Sequence, residues 1–160
     1  RKGSGSDMAF LSSLNIVASG MTAQQLRLDV VAENVTNSTT TRTEAGGPYR
    51  RKMVVFQSVA GRDDFRAAMA RAAGGLAPNT GASPAGGVRV TQIVEDPSPM
   101  KLVYDPAHPD ANEDGYVEMP NVDMVKEMTD AMAATQAYSA NVTAFNTLKS
   151  VVAKGLEIGR

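Results

Sequence analysis

The residues best suited to metal chemistry form the run Asp110-Ala-Asn-Glu-Asp-Gly115, which has the spacing of the first half of an EF-hand calcium loop. Such a loop is closed by a bidentate glutamate at its twelfth position. In this sequence that position is Asn121, and no helix pattern precedes the run. The alternative is a turn before a strand, in which Gly115 supplies the bend. The sequence favours the turn over Ca²⁺ binding.

Acid–base chemistry would have to come from three carboxylates, Glu95, Asp96 and Glu118, or from the single histidine, His108. Two carboxylates can hydrolyse a glycosidic bond when their separation is fixed. Adjacent residues on a strand point to opposite faces, so Glu95 and Asp96 do not form such a pair. We therefore predict that the chain is not an enzyme and has no catalytic residue, cofactor or metal ion. A periplasmic glycan hydrolase remains the alternative of the enzyme class.

Composition excludes several classes of protein. The 16 basic residues against 17 acidic ones give a formal net charge of −1, which does not indicate a surface for nucleic acid. The absence of cysteine excludes disulfides, thiol nucleophiles and cysteine-ligated zinc. No apolar run is longer than four residues, as in Met53 to Phe56, and such runs are too short for a membrane span. The basic run Arg50 to Lys52 is interpreted as solvated or subunit-interface charge.

Two long helices are predicted at the ends of the chain, and they must position its functional residues. Apolar residues recur every three or four positions from Phe10 to Val35, a coiled-coil-like stripe that predicts a helix over 10–37 with Ser12 or Ser13 as its cap. A second stripe predicts a helix over 121–158, capped by Asn121. Acidic residues such as Glu127 near its start suit the helix dipole.

The region between the helices is predicted to contain short strands and turns. Alternating and β-branched residues predict strands at Tyr49 to Val59, Val88 to Val94, Met100 to Tyr104 and Tyr116 to Met119. Residues 62–71 are predicted to form one short helix. Glycine, alanine and proline dominate residues 72–87, which predicts a mobile loop.

These elements predict an α+β fold in which two long terminal helices form a coiled-coil-like layer and a small β-rich insert lies between them. Residues 1–7 are interpreted as a cloning scar. Residues 8–40 and 120–160 are assigned to a terminal helical domain. Residues 41–119 are assigned to a β-rich middle domain with the mobile loop at about 72–87.

Several motifs resemble those of the flagellar axial proteins, the family of rod and hook subunits. The first helix ends in the pattern A-x-N-[LI]-A-N, of which Ala32, Asn34 and Asn37 are kept, while Val35 and Thr36 replace the usual residues. The second helix carries runs similar to V-[DN]-x-V-x-E-M and A-Y-x-A-N at residues 122–128 and 137–141. The middle segments 48–56, 95–110 and 115–120 resemble those of a proximal-rod subunit of this family.

The resemblance implies a structural subunit of the bacterial flagellar proximal rod. Such subunits are exported unfolded by the flagellar type III apparatus, without a cleaved signal peptide. They polymerise helically through their terminal helices into a hollow drive shaft that crosses the periplasm and transmits torque. The implied partners are copies of the chain itself, other rod and basal-body proteins, and the export apparatus.

The stripes and the matched motifs together predict the assembly interface. We expect it to contain residues of both helices: Leu14, Val17, Met21, Leu28, Val31, Asn34, Val35, Asn37, Met124, Met128, Tyr138, Asn141, Val142, Phe145 and Val152. The remaining alternative is a soluble adaptor that binds one partner helix through the same stripes.

Overall fold

The computed structural model describes residues 4–59 and 86–158 and has the predicted α+β fold. The elements follow in the order α1 (Ser4–Thr36), β1 (Lys52–Ser58), β2 (Val88–Glu95), β3 (Lys101–Tyr104), β4 (Tyr116–Met119) and α2 (Met124–Ile158). The predicted short helix at 62–71 lies outside the described residues, as does most of the predicted loop at 72–87. The last two residues of that loop are described: Gly86 and Gly87 are hydrogen-bonded to Val59.

Both predicted helix caps are wrong. Ser12 and Ser13 lie inside α1, which already begins at Ser4, among the residues interpreted as a scar. No proline interrupts this stretch, so the helix continues toward the N-terminus. At the start of α2 the cap is Asp123, whose Oδ1 accepts a hydrogen bond from the Val125 N–H at 3.0 Å.

The four strands form two separate two-stranded ribbons, β1 with β2 and β3 with β4. The first is antiparallel, since Asp96 N donates to Arg51 O at one end and Val59 N donates to Gly87 O at the other. The second is antiparallel with Lys101 opposite Met119 and Tyr104 opposite Tyr116. The rings of this last pair meet edge to face, with centroids 5.2 Å apart.

The chain divides into two compact units, and each contains part of both helices. The first unit comprises Arg1–Ala23, Phe56–Val90 and Ala137–Arg160, and the second comprises Gln24–Val55 and Thr91–Gln136. The predicted division into a helical domain and a β-rich domain therefore remains a prediction.

Small and polar residues take a large part in the buried face of α1. Ala23, Val30, Val31 and Asn34 are each at most 5% exposed. The predicted stripe runs through Gln24, Leu28, Val31 and Val35. The observed buried stripe therefore lies mostly one position earlier in the sequence than the predicted one. This shift corresponds to a rotation of about 100° around the helix. On α2 the fully buried residues are Glu127 and Ala134.

Candidate assembly surface and the polar cluster that supports it

Asn34, near the end of α1, is the centre of a buried polar cluster in the second unit. Its Nδ2 donates to Lys52 O at 2.9 Å and to Glu127 Oε2 at 3.0 Å. Its Oδ1 accepts from Lys52 N at 2.8 Å and from Tyr49 Oη at 2.9 Å. Both donors and both acceptors of the amide are thus used. An asparagine that is 1% exposed is stable here because its hydrogen bonds are complete.

Glu127, on the first turn of α2, is fully buried and shares this cluster. Its Oε1 accepts from Arg51 Nε at 2.5 Å, while its Oε2 accepts from Asn34. A second carboxylate, Asp96, lies 3.4 Å from the same guanidinium. Burial lowers the pKa of Arg51, but the hydrogen bonds and charges of Glu127 and Asp96 outweigh it, so that pKa lies above its usual value. The arginine is therefore permanently charged and holds two acidic side chains.

Asn121 is a second amide whose oxygen and nitrogen are both hydrogen-bonded, and it connects three backbone segments. Its Oδ1 accepts from Arg51 N at 2.8 Å. Its Nδ2 donates to Asp96 O at 3.2 Å and to Ser98 O at 3.1 Å. This side chain, predicted to cap α2, instead fastens the start of the β1 strand and the end of β2 to the segment that leads into α2.

Tyr49 closes the cluster on the side of β1. Burial first, and then the negative charges of Glu33, Glu127 and Glu95, raise the pKa of its phenol to about 12. The phenol therefore stays protonated and donates to Asn34. Lys52 bonds to Glu33 at 2.5 Å and lies 5.7 Å from the centroid of the Tyr49 ring, within range of a cation–π contact.

The arrangement is suited to fixing α1 and α2 relative to each other in the second unit. The carboxylates of Glu127 and Asp96 are occupied by hydrogen-bond donors within the chain, and Arg27 pairs with Asp130 between α1 and α2 of the same unit. Charge-assisted hydrogen bonds of this kind are stronger than neutral ones. The cluster therefore sets the distance and register between the two helices in the second unit.

In the first unit the helices meet at a small residue. A Cβ atom on Gly20 would lie 2.9 Å from Asn141 Nδ2, so only glycine fits without a shift of that amide. Beside it, Ser19 Oγ donates to Ile16 O and accepts from Val88 N at 3.0 Å. Gly87, with φ +105°, has its Cα against the same serine.

The structure places the fifteen predicted interface residues at three levels of exposure. Val31 and Asn34 are buried within the chain. Met124 and Met128 are exposed, by 38% and 57%. The others are half-buried: Leu14, Val17, Met21, Leu28, Val35, Asn37, Tyr138, Asn141, Val142, Phe145 and Val152. A half-buried apolar side chain leaves surface that a neighbouring subunit can cover. Asn34 has almost no exposed surface, so it could affect assembly only by stabilising the fold of the subunit.

The residues that could support catalysis or metal binding either have hydrogen-bond partners within the chain or are exposed. Asp110 accepts from Thr41 Oγ1 at 2.9 Å, and Asn112 Oδ1 accepts from two backbone N–H groups, as in a turn. His108 Nδ1 accepts from Asp110 N at 3.1 Å. Glu95 and Glu118 are exposed. Over residues 4–59 and 86–158, no three His, Cys, Asp or Glu side chains are grouped to hold a metal ion.

Comparison with known proteins decides the family. Residues 14–42 match the model described as flagella basal body rod protein, and residues 113–158 match flagellar basal body rod FlgEFG protein C-terminal. A basal-body rod protein FlgC of Bacillus subtilis is 46% identical, over 96% of this chain and 100% of its own length. Those of Borreliella burgdorferi and Escherichia coli O6:H1 are each 42% identical, over 94% and 96% of this chain and 98% and 100% of their own. The chain belongs to the FlgC family of flagellar basal-body rod proteins.

Membership of the FlgC family makes the chain a structural component of the bacterial flagellar basal body. It confirms the family resemblance of the terminal motifs. The two matched models lie mainly on the ends of the chain, which contain α1 and α2. Neither helix, in the part of the chain that the structure describes, is long and apolar enough to cross a membrane.

Sequence reasoning missed the main residues of the polar cluster. Arg51 and Lys52 were interpreted as solvated or interface charges, but both form ion pairs within the chain. Glu127 was interpreted as a helix-dipole residue, although it is fully buried. A signal was available on α1, where Gly20, Arg27 and Asn34 recur at heptad spacing and form a stripe that is small or polar, but it does not identify Arg51 or Glu127.

Proposed function

We propose that this FlgC-family chain polymerises through its two terminal helices into the proximal rod and transmits torque across the periplasm. Apolar side chains that the single chain leaves partly exposed lie on both helices and support this proposal, because a neighbouring subunit can cover apolar surface of this kind. The contacts would be made with copies of the chain and with other rod and basal-body proteins. The role is structural and requires no catalytic residue.

One observation carries the proposal. On α2 the residues Val142 and Phe145 are half-buried within the chain, lie on one face and have no charged residue beside them in the sequence. A charge placed in that face would lose its water without gaining a partner when a neighbour covers it.

We also propose how the chain reaches the rod. It is exported in an unfolded form by the flagellar type III apparatus, without a cleaved signal. The absence of cysteine from the sequence is compatible with a chain that passes from a reducing to an oxidising compartment. Secretion of the chain must therefore be measured separately from its assembly.

The test is Val142→Asp in cells, with Gln92→Asp as the matched control. Gln92 is exposed on β2 and belongs to neither helix. We expect Val142→Asp to be secreted normally but to abolish basal bodies and swimming, and Gln92→Asp to leave both intact. Cells that carry Val142→Asp and still build rods would show that this helix face is not an assembly surface.

A further inference from the structure

The outer face of the β3–β4 ribbon exposes aromatic and apolar side chains. On this face Tyr104 lies opposite Tyr116, and Leu102 lies opposite Glu118. Tyr104 and Leu102 are each 65% exposed, and Tyr116 is 42% exposed. The other face of the ribbon is packed, since Val117 is buried. Two of the chain's four tyrosines therefore lie together in one exposed patch, and contiguous patches of this kind mark binding surfaces.

The ring of Tyr104 is held in place by two neighbours. It contacts the Tyr116 ring edge to face. A Cβ atom on Gly115 would lie 3.0 Å from Tyr104 Cε2 and 3.2 Å from Pro106 Cβ, so the ring packs against the bare backbone of this glycine. The orientation of the ring is therefore set before a ligand arrives, and a ligand that packs on it loses less free energy to ordering.

A cavity of about 490 Å³ adjoins this face within the second unit. Its walls include Arg42, Pro48, Asp110, Asn112, Tyr116 and Glu118. The side chains of Tyr116 and Glu118 belong both to the cavity and to the outer face of the ribbon. The volume is within the range of small-molecule sites. We call the cavity and the outer face together the ribbon site.

Three polar groups of the ribbon site have hydrogen-bonding capacity to spare among the described residues. The carboxylate of Glu118 is exposed and has no partner there. The side chain of Arg42 is 81% exposed and lies 3.8 Å from its one carboxylate partner, Asp110. Asn112 uses its Oδ1 within the turn, which leaves its Nδ2 free. The site therefore offers an acceptor and two donors side by side.

This combination of groups selects the chemistry of the ligand. A hydroxyl group donates and accepts at once, so a ligand with several hydroxyl groups can bond to the acceptor and to both donors. An anion would be repelled by Asp110 and Glu118, and a cation would be repelled by Arg42. The negative face of a tyrosine ring attracts C–H groups, which line the faces of a sugar ring. An uncharged sugar matches both the polar and the aromatic parts of the site.

We propose that the ribbon site binds an uncharged glycan chain. Its sugar rings pack on Tyr104 and Tyr116, and its hydroxyl groups bond to the polar groups of the cavity. Because the cavity and the tyrosine rings are continuous, the site fits several linked sugars better than a single one. The proposal goes beyond the proposed function, since assembly through α1 and α2 requires no ligand and the ribbon site belongs to neither helix.

The class of ligand is tested on the purified full chain by NMR titration. The probe is chitotetraose, a chain of uncharged sugars, and the control is tetragalacturonate, a chain of equal length with a carboxylate on every sugar. We expect chitotetraose to shift the amide signals around Tyr104 and Tyr116 and to saturate in the millimolar range. The acidic chain should bind about tenfold more weakly or worse. No shift with chitotetraose, or equal binding of the two chains, overturns the proposal.

A protein segment is the competing occupant, because aromatic grooves also bind proline-rich segments. Decaproline tests this in the same titration. We expect it to leave the signals around Tyr104 and Tyr116 unchanged. Shifts of these signals by decaproline, without shifts by chitotetraose, would overturn the proposal and assign the surface to a protein partner.

The aromatic part of the site is tested by Tyr104→Ala, with Met132→Ala as the matched control. Both side chains are 65% exposed, but Met132 lies on α2. We expect Tyr104→Ala to weaken chitotetraose binding about tenfold, and Tyr104→Phe and Met132→Ala to stay within about twofold of the parent. Circular dichroism checks that each variant keeps the helix content of the parent. Unchanged binding by a folded Tyr104→Ala variant would overturn the proposal.

The polar part is tested by Glu118→Ala against Glu118→Gln, whose amide oxygen still accepts a hydrogen bond. We expect about tenfold weaker binding with alanine and a smaller loss with glutamine. Since Glu118 is exposed and has no partner among the described residues, both variants should fold, and they keep the proposal testable if Tyr104→Ala does not. Parental affinity in Glu118→Ala would contradict recognition of hydroxyl groups by this site.

Discussion

Asn34 donates a hydrogen bond to Glu127 across 93 positions of sequence and so joins the end of α1 to the start of α2. Both side chains are at most 1% exposed. The pair lies in the parts of the sequence that match the two rod-protein models. It connects the two terminal regions of the chain inside the second unit of one subunit.

Removal of the Glu127 carboxylate should be strongly destabilising. In Glu127→Ala the Asn34 amide loses an acceptor and Arg51 keeps only the carboxylate of Asp96. Breaking a buried ion pair in this way costs about 3–5 kcal/mol of unfolding free energy. Glu127→Gln should cost about 1–3 kcal/mol, since the oxygen of the glutamine amide still accepts a hydrogen bond. Urea denaturation of the full chain measures both. Equal stability of Glu127→Ala and the parent would contradict the assigned role.

Asn34→Asp should be destabilising in a way that Glu127→Gln corrects. The new carboxylate would face Glu127 and the Lys52 carbonyl, each about 3 Å from the original amide nitrogen. The amide of Glu127→Gln can donate to that carboxylate, so the double variant should be more stable than the sum of the single effects predicts. Asn112→Asp serves as the control, because only the oxygen of that amide is used. Additivity of the two changes would refute direct coupling.

The Asp96–Ser98 contact should make part of the stability depend on acid pH. The hydroxyl and backbone N–H of Ser98, with a smaller contribution from Arg51, hold the pKa of Asp96 below 3.8 against the opposing effect of burial. A lowered pKa contributes stability that is present above the unfolded value and is lost as pH falls through the folded one. Ser98→Ala should therefore be less stable than the parent at pH 7. The difference should shrink below pH 3.8, as followed by urea denaturation. A difference that is the same at all pH values would exclude this contact as its source.

Gly87→Ala should weaken the first unit. A Cβ atom there would lie 2.3 Å from Ser19 Oγ and 3.4 Å from Ile16 Cα, and φ is +105°. The clash and the backbone strain together should cost more than the about 1–2 kcal/mol expected of strain alone. Gly46→Ala is the control for strain, because its φ is +83° and nothing lies within 4 Å. Hydrogen exchange of the α1 amides near Ser19 reports the difference, and similar protection in the two variants would argue against the clash.

The sequence predicts where the described helices and strands lie to within a few residues at most ends. Hydrophobic periodicity is a local property, and it identifies α1, α2 and the four strands without knowledge of their neighbours. The buried face of α1 is harder to predict, because it is formed partly by Gly20, Ala23 and Asn34 and not by the largest apolar side chains. Periodicity follows apolar character, and it therefore selects a stripe mostly one position away.

The polar cluster could not be predicted from the sequence. Arg51 and Glu127 are 76 positions apart, and Asn34 and Glu127 are 93 apart. Nothing local distinguishes a glutamate that suits a helix dipole from one that is buried against an arginine. Asn121 shows the same ambiguity. An asparagine after a proline can cap a helix, but its side chain can equally well hydrogen-bond to the backbone of a distant segment, as it does with Arg51 N. Only the tertiary fold decides between these roles.

The bond between Asn34 and Glu127 also determines when the chain can fold. A ribosome that has released α1 has not yet made Glu127, so the amide of Asn34 has no partner on α2 until most of the chain is complete. Contacts of such long sequence separation form slowly, because closure of the intervening loop must come first. The growing chain therefore cannot close its main polar cluster until α2 has begun.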